Sequence, residues 1–336
     1  MLTTATHPLH QRPRRNRKTS AIRDMMQETR LHPSDLIYPQ FVLGGDRLRE
    51  PIRSMPGIER LSIDLLLKEI ERAVELGIPA IALFPVVPRE MKNQMGTESV
   101  NPNGVLQKAI RAVKKEFPDL CLIADIALDP YSSHGHDGLV DEAGEVMNDE
   151  TVEVLVNMAL IQAEAGIDMV APSDMMDGRV RAIRLALDHG GFSHVSIHAY
   201  TAKYASAFYG PFRDALDSRL QKGDKKTYQM NPANWREALR EGALDEEEGA
   251  DILMVKPALP YLDIITRLKA ATHLPISAYQ VTGEYAMIMA AAQNGWIDGD
   301  KVLLESLLSI KRAGAEMIFT YAAPKAAELI TIGVLD

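Results

Sequence analysis

Cysteine is nearly absent from this sequence, because the 336 residues contain only Cys121. A single thiol can build neither an internal disulfide nor a multi-cysteine zinc cluster. The sequence also lacks an uncharged apolar run of about eighteen residues, so no membrane-spanning helix is expected. The basic residues near the N-terminus are not followed by an apolar segment, which argues against a secretory signal. We therefore expect a reduced, cytoplasmic protein without a membrane partner.

The composition is that of a globular chain, with 46% hydrophobic and 25% charged residues. These fractions exclude a disordered or collagen-like protein. Barrel enzymes commonly reach ~250 residues or more as one unit, and no linker rich in proline, glycine or serine divides this chain. We expect one catalytic domain over residues 34–336, preceded by an extended N-terminal arm over residues 1–33.

Charge is distributed unevenly between the arm and the rest of the chain. The arm has seven basic and two acidic residues and so a net charge of +5. Because the whole chain has a net charge of −9, the remainder has a net charge of −14. A basic arm could bind nucleic acid or the acidic face of a sister subunit. An acidic body repels nucleic acid, so the pattern favours subunit docking and no nucleic-acid partner, although a nucleic-acid-binding protein stays open as an alternative.

Eight short apolar segments alternate with longer amphipathic ones, which predicts strands alternating with helices. The candidate strands are Tyr38–Leu43, Ala80–Phe84, Leu120–Ala127, Met169–Pro172, His194–Tyr200, Asp251–Val255, Ile276–Gln280 and Glu316–Thr320. Several helical segments end at a glycine, namely Gly77, Gly166, Gly249 and Gly314. No G-x-G-x-x-G follows the first strand. An α/β fold of the (β/α)8 TIM-barrel type is therefore favoured over a dinucleotide-binding open sheet.

Two lysines follow consecutive predicted strands, at the end of a barrel where chemistry is usually located. Lys203 comes shortly after the fifth strand and Lys256 directly after the sixth. Neighbouring strands are ~4.8 Å apart, so both side chains could reach one cavity. Mutual repulsion and burial would lower both pKa values and provide neutral amines for Schiff-base formation. The alternative is that each lysine is an ordinary surface cation at the start of a loop.

Acidic and hydroxyl side chains lie at or just after the ends of the third and fourth strands. Asp125 and Asp129 are expected on one face by the strand period of two, followed by a loop that contains Asp137. They could steer a cationic substrate, bind a hard metal or relay protons, or simply be solvated. Ser173 could cap the next helix, and Asp174 could orient a neighbouring group.

A polar segment at about residues 208–228 has the composition of an active-site lid. Its cations Arg213 and Lys225 could bind a carboxylate, although such a segment is commonly only a solvated loop. The hydroxyls of Tyr279, in the seventh candidate strand, and of Thr282 and Tyr321, just after the last two, could hold a second carboxylate, although a core position is commoner for a tyrosine.

Seven ordered motifs together resemble one known family, that of porphobilinogen synthase, also called delta-aminolevulinic acid dehydratase. They are Asp125-x-Ala-x-Asp129-Pro-Tyr-x-x-His-Gly-His-Asp137, Ala-Pro-Ser173-Asp-Met-Met-Asp-Gly-Arg, Tyr-x-Ala-Lys203-Tyr-Ala-Ser, Gly-Pro-Phe212-Arg213-Asp-Ala, Thr-Tyr-Gln229-Met-Asn-Pro-Ala-Asn, Met-Val-Lys256-Pro and Tyr279-Gln-Val-Thr282-Gly-Glu-Tyr. The resemblance runs from about Tyr38 to the C-terminus and includes the basic arm.

The resemblance implies condensation of two 5-aminolevulinate molecules into porphobilinogen, a precursor of haem. It implies one Schiff base at Lys256, on the propionate side of the product, and a second at Lys203, on the acetate side. The implied substrate-binding residues are Arg213, Lys225 and Gln229 at one carboxylate, Thr282 and Tyr321 at the other, Asp125, Asp129, Asp137 and Ser173 around the amines, and Tyr279 and Phe212. A single-lysine aldolase on the same barrel is the alternative enzyme.

The resemblance also carries expectations about metals and assembly. Zinc-dependent members have three cysteines where this chain has Ala127, Asp129 and Asp137, so no catalytic zinc is expected. Magnesium-stimulated members bind an allosteric Mg²⁺ at a glutamate that matches Glu241, at a site between subunits that favours an octamer built through the N-terminal arms. A monovalent cation near Asp129 and Asp137 is a further possibility.

Overall fold

Eight parallel strands close into a barrel in the computed structural model, which describes residues 10–218, 220–221 and 223–334. The strands are β1 (Leu36–Leu43), β2 (Arg49–Pro51), β3 (Glu59–Ser62), β4 (Ala80–Val86), β5 (Cys121–Ile126), β6 (Met169–Pro172), β7 (Ser196–Lys203), β8 (Ile252–Lys256), β9 (Ile276–Gln280) and β10 (Met317–Thr320). β1 pairs with β4 at one edge and with β10 at the other, which closes the ring β1, β4 to β10. The predicted TIM barrel is confirmed.

Helices alternate with these strands, and most of them cover the outside of the barrel. They are α1 (Ser20–Met25), α2 (Ile63–Glu75), α3 (Val105–Glu116), α4 (Asn148–Glu164), α5 (Arg179–His189), α6 (Gly210–Leu216), α7 (Arg236–Glu248), α8 (Leu262–Ala271), α9 (Thr282–Gln293), α10 (Gly299–Ala313) and α11 (Ala323–Thr331). In α2, Leu66, Ile70 and Ala73 recur at helical spacing and are fully buried. Burial of each leucine or isoleucine contributes about 1.5–3 kcal/mol, so packing on the barrel stabilises the helix.

Glycines end several of these helices, as the sequence predicts. Gly249 after α7 has a φ of 101° and Gly314 after α10 has a φ of 121°. Side chains rarely adopt these backbone conformations, which turn the chain out of each helix and into the next strand.

A two-stranded extension at the mouth of the barrel is not predicted from the sequence. β2 and β3 are antiparallel to each other, and β3 runs parallel to the C-terminal half of β1, with Arg60 opposite Phe41. Both strands are short and largely polar, so they lack the apolar run that marks the barrel strands. The extension brings Arg60 to the end of the barrel where the strands terminate.

The described part of the arm, residues 10–33, contains a short 3₁₀ turn and α1, neither of which has a buried residue. The first nine residues of the predicted arm lie outside the described residues. Met25 and Met26 of this segment are largely exposed. Across the described ranges, no helix combines the length and apolarity needed to cross a membrane.

Candidate active site

The two lysines singled out from the sequence are direct neighbours at the carboxyl end of the barrel. Lys203 is the last residue of β7, Lys256 is the last residue of β8, and their Cα atoms are register partners. Both side chains line one cavity of about 30 Å³, room for one or two water molecules. The other lining residues are Asp125, Asp129, Ser173, Tyr209, Phe212, Arg213, Lys225 and Gln229. Substrates larger than water can enter only if part of this lining moves.

Lys256 is surrounded by aromatic rings. Its Nζ lies 4.6–5.5 Å from four ring centroids, those of Tyr200, Tyr209, Phe212 and Tyr279. Ring faces attract a cation but do not replace the hydrogen bonds of water, and Nζ donates none to a described residue. Burial and then the charge of Lys203 lower the pKa of Lys256 to about 7. A substantial fraction of Lys256 is therefore the neutral amine near pH 7, as the sequence predicts.

Lys203 has the opposite electrostatic environment, so the prediction of two neutral lysines is wrong for this one. Its Nζ donates to Asp137 Oδ2 at 3.0 Å and to the backbone carbonyl oxygen of Ser173. Burial alone would lower the pKa of Lys203, but the carboxylates of Asp137, Asp129 and Asp125 outweigh burial and raise it. Lys203 is an ammonium ion in this structure.

Asp137 is the centre of the charged network in the cavity wall. It is fully buried and accepts hydrogen bonds from Lys203 and, through Oδ1, from Lys225. Burial disfavours its charge, but the two ammonium groups overcome this and lower the pKa of Asp137. Lys225 Nζ also lies 3.8 Å from Asp129 Oδ2, so the lysine ammonium supplies positive charge between these two carboxylates.

Asp125 and Asp129 lie on the same wall, but not because of strand periodicity. β5 ends at Ile126, and Asp129 reaches the cavity from the turn that follows. Burial and then the charge of Asp129 raise the pKa of Asp125 to about 7. Its carboxyl group is therefore near the midpoint of its titration at neutral pH and suited to proton transfer.

Comparison with known proteins identifies the family. The model of the family described as delta-aminolevulinic acid dehydratase matches residues 10–329. The chain is similar to delta-aminolevulinic acid dehydratases from Bradyrhizobium diazoefficiens, at 58% identity over 94% of this chain and 90% of the relative, and from Chlamydia pneumoniae, at 57% over 97% and 98%. The chain belongs to the delta-aminolevulinic acid dehydratase family. The predicted resemblance is confirmed at this level.

A solved structure of the family has the same fold. The crystal structure of delta-aminolevulinic acid dehydratase (porphobilinogen synthase) from Toxoplasma gondii, in complex with the reaction product porphobilinogen, matches with a TM-score of 0.94 and 55% identity. The match covers 96% of this chain and 92% of that chain.

Not every site residue expected from the dehydratase resemblance lines the lysine cavity. Tyr279 contacts Lys256, and its hydroxyl lies 2.8 Å from that of Tyr321. Tyr321 itself borders a separate cavity, and the Thr282 hydroxyl donates to the carbonyl oxygen of Phe208 at 3.3 Å. Thr282 and Tyr321 are thus one layer behind the rings that cover Lys256 in this structure.

Sequence reasoning missed Tyr200, which contacts Lys256. In a regular strand, Tyr200 and Lys203 of β7 would point to opposite faces, but the register with β8 shifts between Ala199 and Ala202. Such an irregularity resets the alternation of side chains. Of the roles considered for this segment, capping of the next helix by Ser173 is absent, because α5 begins six residues later, at Arg179, with Gly178 at its N-cap.

Glu241 lies outside the lysine cavity, on α7. It borders a third cavity of about 390 Å³, together with the carboxylates of Glu145, Asp177 and Glu237. Burial raises the pKa of Glu241 to about 7, because burial and the nearby acidic side chains together outweigh the lowering effect of the Arg179 charge. Oxygen donors of this kind fit a hydrated Mg²⁺, which commonly keeps several waters and binds one or two carboxylates. No group of three or more His, Cys, Asp or Glu side chains within the described ranges is arranged to hold a metal.

Cys121 is far from the lysine cavity. It is the first residue of β5, at the opposite end of the strand from Asp125, a separation of roughly 13 Å at the usual rise per residue. Burial raises the pKa of its thiol to about 11. Neither its position nor its protonation state suits a metal ligand near the lysines.

Proposed function

We propose that this chain condenses two molecules of 5-aminolevulinate into porphobilinogen, with loss of two waters, through Schiff bases at Lys256 and Lys203. The observation that carries the proposal is the placement of two buried lysines as register partners on neighbouring strands, beside one cavity. A single-lysine aldolase does not need the second amine. The relatives described above bear the names of this activity, which is that of a lyase.

Lys256 is the residue we assign to the first Schiff base. Its neutral amine attacks the ketone carbon of one substrate, and loss of water yields an iminium. The iminium withdraws electrons and acidifies the adjacent carbon, which prepares it for carbon–carbon bond formation. The carboxyl group of Asp125, with a pKa of about 7, is placed to exchange protons during these steps.

Lys203 must first lose a proton, and we propose that the second substrate brings this about, with the carboxylate of Asp125 beside the same cavity as the proton acceptor. The ammonium group of 5-aminolevulinate can replace that of Lys203 beside Asp137 and Asp129, since both are cations of similar size. Without these counter-ions and next to a cationic iminium at Lys256, the pKa of Lys203 falls. With both substrates attached, condensation becomes intramolecular, which in the best-aligned cases lowers the barrier by ~7–11 kcal/mol.

The segment 208–228 provides the proposed carboxylate site. The side chain of Arg213 borders the cavity and makes no hydrogen bond or ion pair with a described residue. Gln229 lines the same wall, and Lys225 can join them by exchanging Asp137 for the substrate carboxylate. Thr282 and Tyr321 would receive the other carboxylate once the rings around Lys256 separate.

We further propose the magnesium-stimulated, non-zinc type of enzyme. Positions 127, 129 and 137 offer a methyl group and two carboxylates rather than thiolates, which disfavours zinc. Bound Mg²⁺ would supply positive charge to the acidic cavity, with Glu241 and a neighbour such as Asp177 or Glu237 as its ligands. A monovalent cation at Asp129 and Asp137 stays a prediction.

The assembly and the location of the chain also stay predictions. We propose an octamer formed through the arms, since the exposed Met25 and Met26 and the basic residues of this segment are suited to pack on an acidic neighbouring barrel. The cytoplasmic location rests on the single cysteine and the ordinary composition.

Purified protein incubated with 5-aminolevulinate is expected to form porphobilinogen, detected by its colour reaction. Because no thiolate site for zinc is present at positions 127, 129 and 137, dialysis against a zinc-selective chelator is expected to leave the rate unchanged. Added Mg²⁺ is expected to raise it. No product with Mg²⁺ present would contradict the proposed function, and activity that only zinc restores would contradict the metal assignment.

Glu241→Gln is expected to remove the magnesium-dependent part of the rate and to leave the metal-free rate near that of the wild type. In the wild type, the apparent affinity for Mg²⁺ should weaken below about pH 7, since a proton then competes for Glu241. Rates measured against Mg²⁺ concentration at several pH values test both statements. Glu247→Gln is the matched control, because this exposed glutamate is on the same helix but does not border the cavity. Unchanged stimulation in Glu241→Gln would exclude the site.

A further inference from the structure

The short helix α6 carries two side chains of the lysine cavity. Phe212 lies over Lys256, with Nζ 5.0 Å from its ring centroid, and packs edge-on against Phe84. Arg213, the next residue, lines the cavity. The placement of α6 therefore decides both the cover over Lys256 and the position of a guanidinium that can bind a carboxylate.

The C-terminal end of α6 depends on side chains from outside the helix. A seven-residue helix leaves most of its carbonyl groups without an intrahelical partner. The chain leaves the helix at Asp217, which has a φ of 48°. The backbone N–H of Asp217 donates to the carbonyl oxygen of Arg213. The next four carbonyl groups, at residues 214–217, require other donors.

Two cations of the barrel supply all four of these donors. Arg60 of β3 donates from Nη2 to the carbonyl oxygen of Asp214 at 2.5 Å and from Nε to that of Ala215 at 2.7 Å. Lys92, from the loop after β4, donates from Nζ to the carbonyl oxygens of Leu216 at 3.0 Å and Asp217 at 2.9 Å. A cation at a helix C-terminus also interacts favourably with the helix dipole.

The remaining basic residues nearby do not share this role. Arg53 and Arg89 border the same surface cavity of about 770 Å³ as Arg60 and Lys92. Neither guanidinium forms a hydrogen bond or ion pair with a described residue. The contacts to α6 are thus specific to two of the four cations, which makes the other two suitable controls.

We propose that Arg60 and Lys92 are positioning residues for the reaction, which hold α6 against the barrel so that Phe212 covers Lys256 and Arg213 faces the substrate carboxylate. Neither residue lines the lysine cavity, so they act through the helix and not on the substrate. The kinetic part of this inference rests on the proposed function, while the structural part does not.

The experiment compares hydrogen exchange and kinetics in Arg60→Met, Lys92→Met and the double variant. Loss of the four hydrogen bonds is expected to accelerate amide exchange in the peptide covering residues 210–218 by about tenfold or more in the double variant, with the barrel helices unchanged. The KM for 5-aminolevulinate is expected to rise by about tenfold and kcat to change much less, because Arg213 is no longer held in place. Arg60→Lys and Lys92→Arg keep a donor and should restore part of the KM.

The controls separate the possible outcomes. Arg53→Met and Arg89→Met remove equal charge from the same cavity and should leave both exchange and KM near the wild-type values. Unchanged exchange in the 210–218 peptide would overturn the proposal, as would faster exchange throughout the barrel or faster local exchange with an unchanged KM. A wild type that makes no porphobilinogen would refute the proposed function, while the exchange comparison would still test the contacts.

Discussion

Lys256→Met is expected to lower kcat for porphobilinogen formation by at least about four orders of magnitude, since removal of the proposed covalent nucleophile eliminates the proposed chemical route itself. The thioether side chain has a similar length and can pack against the four aromatic rings that surround Nζ, so the barrel should remain folded. Kinetics and a thermal unfolding curve on the same sample test both statements. Lys114→Met is the control: it breaks an ion pair with Asp168 (2.9 Å) at the other end of the barrel, and its kcat should stay near the wild-type value.

The pH dependence of the Lys256 adduct follows from its lowered pKa. Only the neutral amine attacks the ketone, and with a pKa of about 7 the neutral fraction falls roughly tenfold for each pH unit below that value. Rapid quenching with borohydride, followed by peptide mass spectrometry, should show the initial rate of labelling at Lys256 rising with pH and levelling above about pH 7. A rate that continues to rise toward pH 10 would mean that Lys256 has an ordinary lysine pKa, which contradicts the effect of its buried position.

The barrel and the pair of lysines can be predicted because they depend on local patterns. Each apolar run that marks a strand is followed by a helical period, and two lysines after consecutive strands must be neighbours once the ring closes. The low pKa of Lys256 follows from the same facts, since burial among apolar strands and a nearby ammonium both lower it. Local sequence therefore reveals the part of the site that lies on the strands.

The parts that depend on loops could not be predicted in this way. Asp137 is 66 residues from Lys203 in the sequence, and nothing near either residue indicates that they form an ion pair. The contacts from Arg60 to α6 span 154 and 155 residues and come from a short polar strand without a detectable pattern. Tyr200 was missed because an irregularity in β7 changes which face it occupies. In each case the loop conformation or a local irregularity, and not residue type, determines the environment.

Replacement of Lys203, the lysine that forms the ion pair with Asp137, is the most direct test of a two-lysine mechanism. Lys203→Met is expected to abolish porphobilinogen formation, with a loss of at least about four orders of magnitude in kcat, while borohydride still traps substrate on Lys256. The adduct at Lys256 should persist because burial, the first cause of its low pKa, is still present. Loss of the neighbouring positive charge, the second cause of its low pKa, should even raise the pKa of Lys256 and shift the pH dependence of labelling upward.

The same experiment separates the condensation from a single-lysine reaction. In the wild type, trapping during turnover should label both Lys203 and Lys256, and labelling at Lys203 should require that the substrate carry its ammonium group. Levulinate, which has the ketone and the carboxylate but no amine, cannot replace Lys203 beside Asp137 and is expected to label Lys256 alone. The proposed exchange of cations at Asp137 would be contradicted if Lys203→Met still formed porphobilinogen, or if levulinate labelled both lysines equally. The raised pKa of Lys203 would then be a structural property of the ion pair and not a step in the reaction.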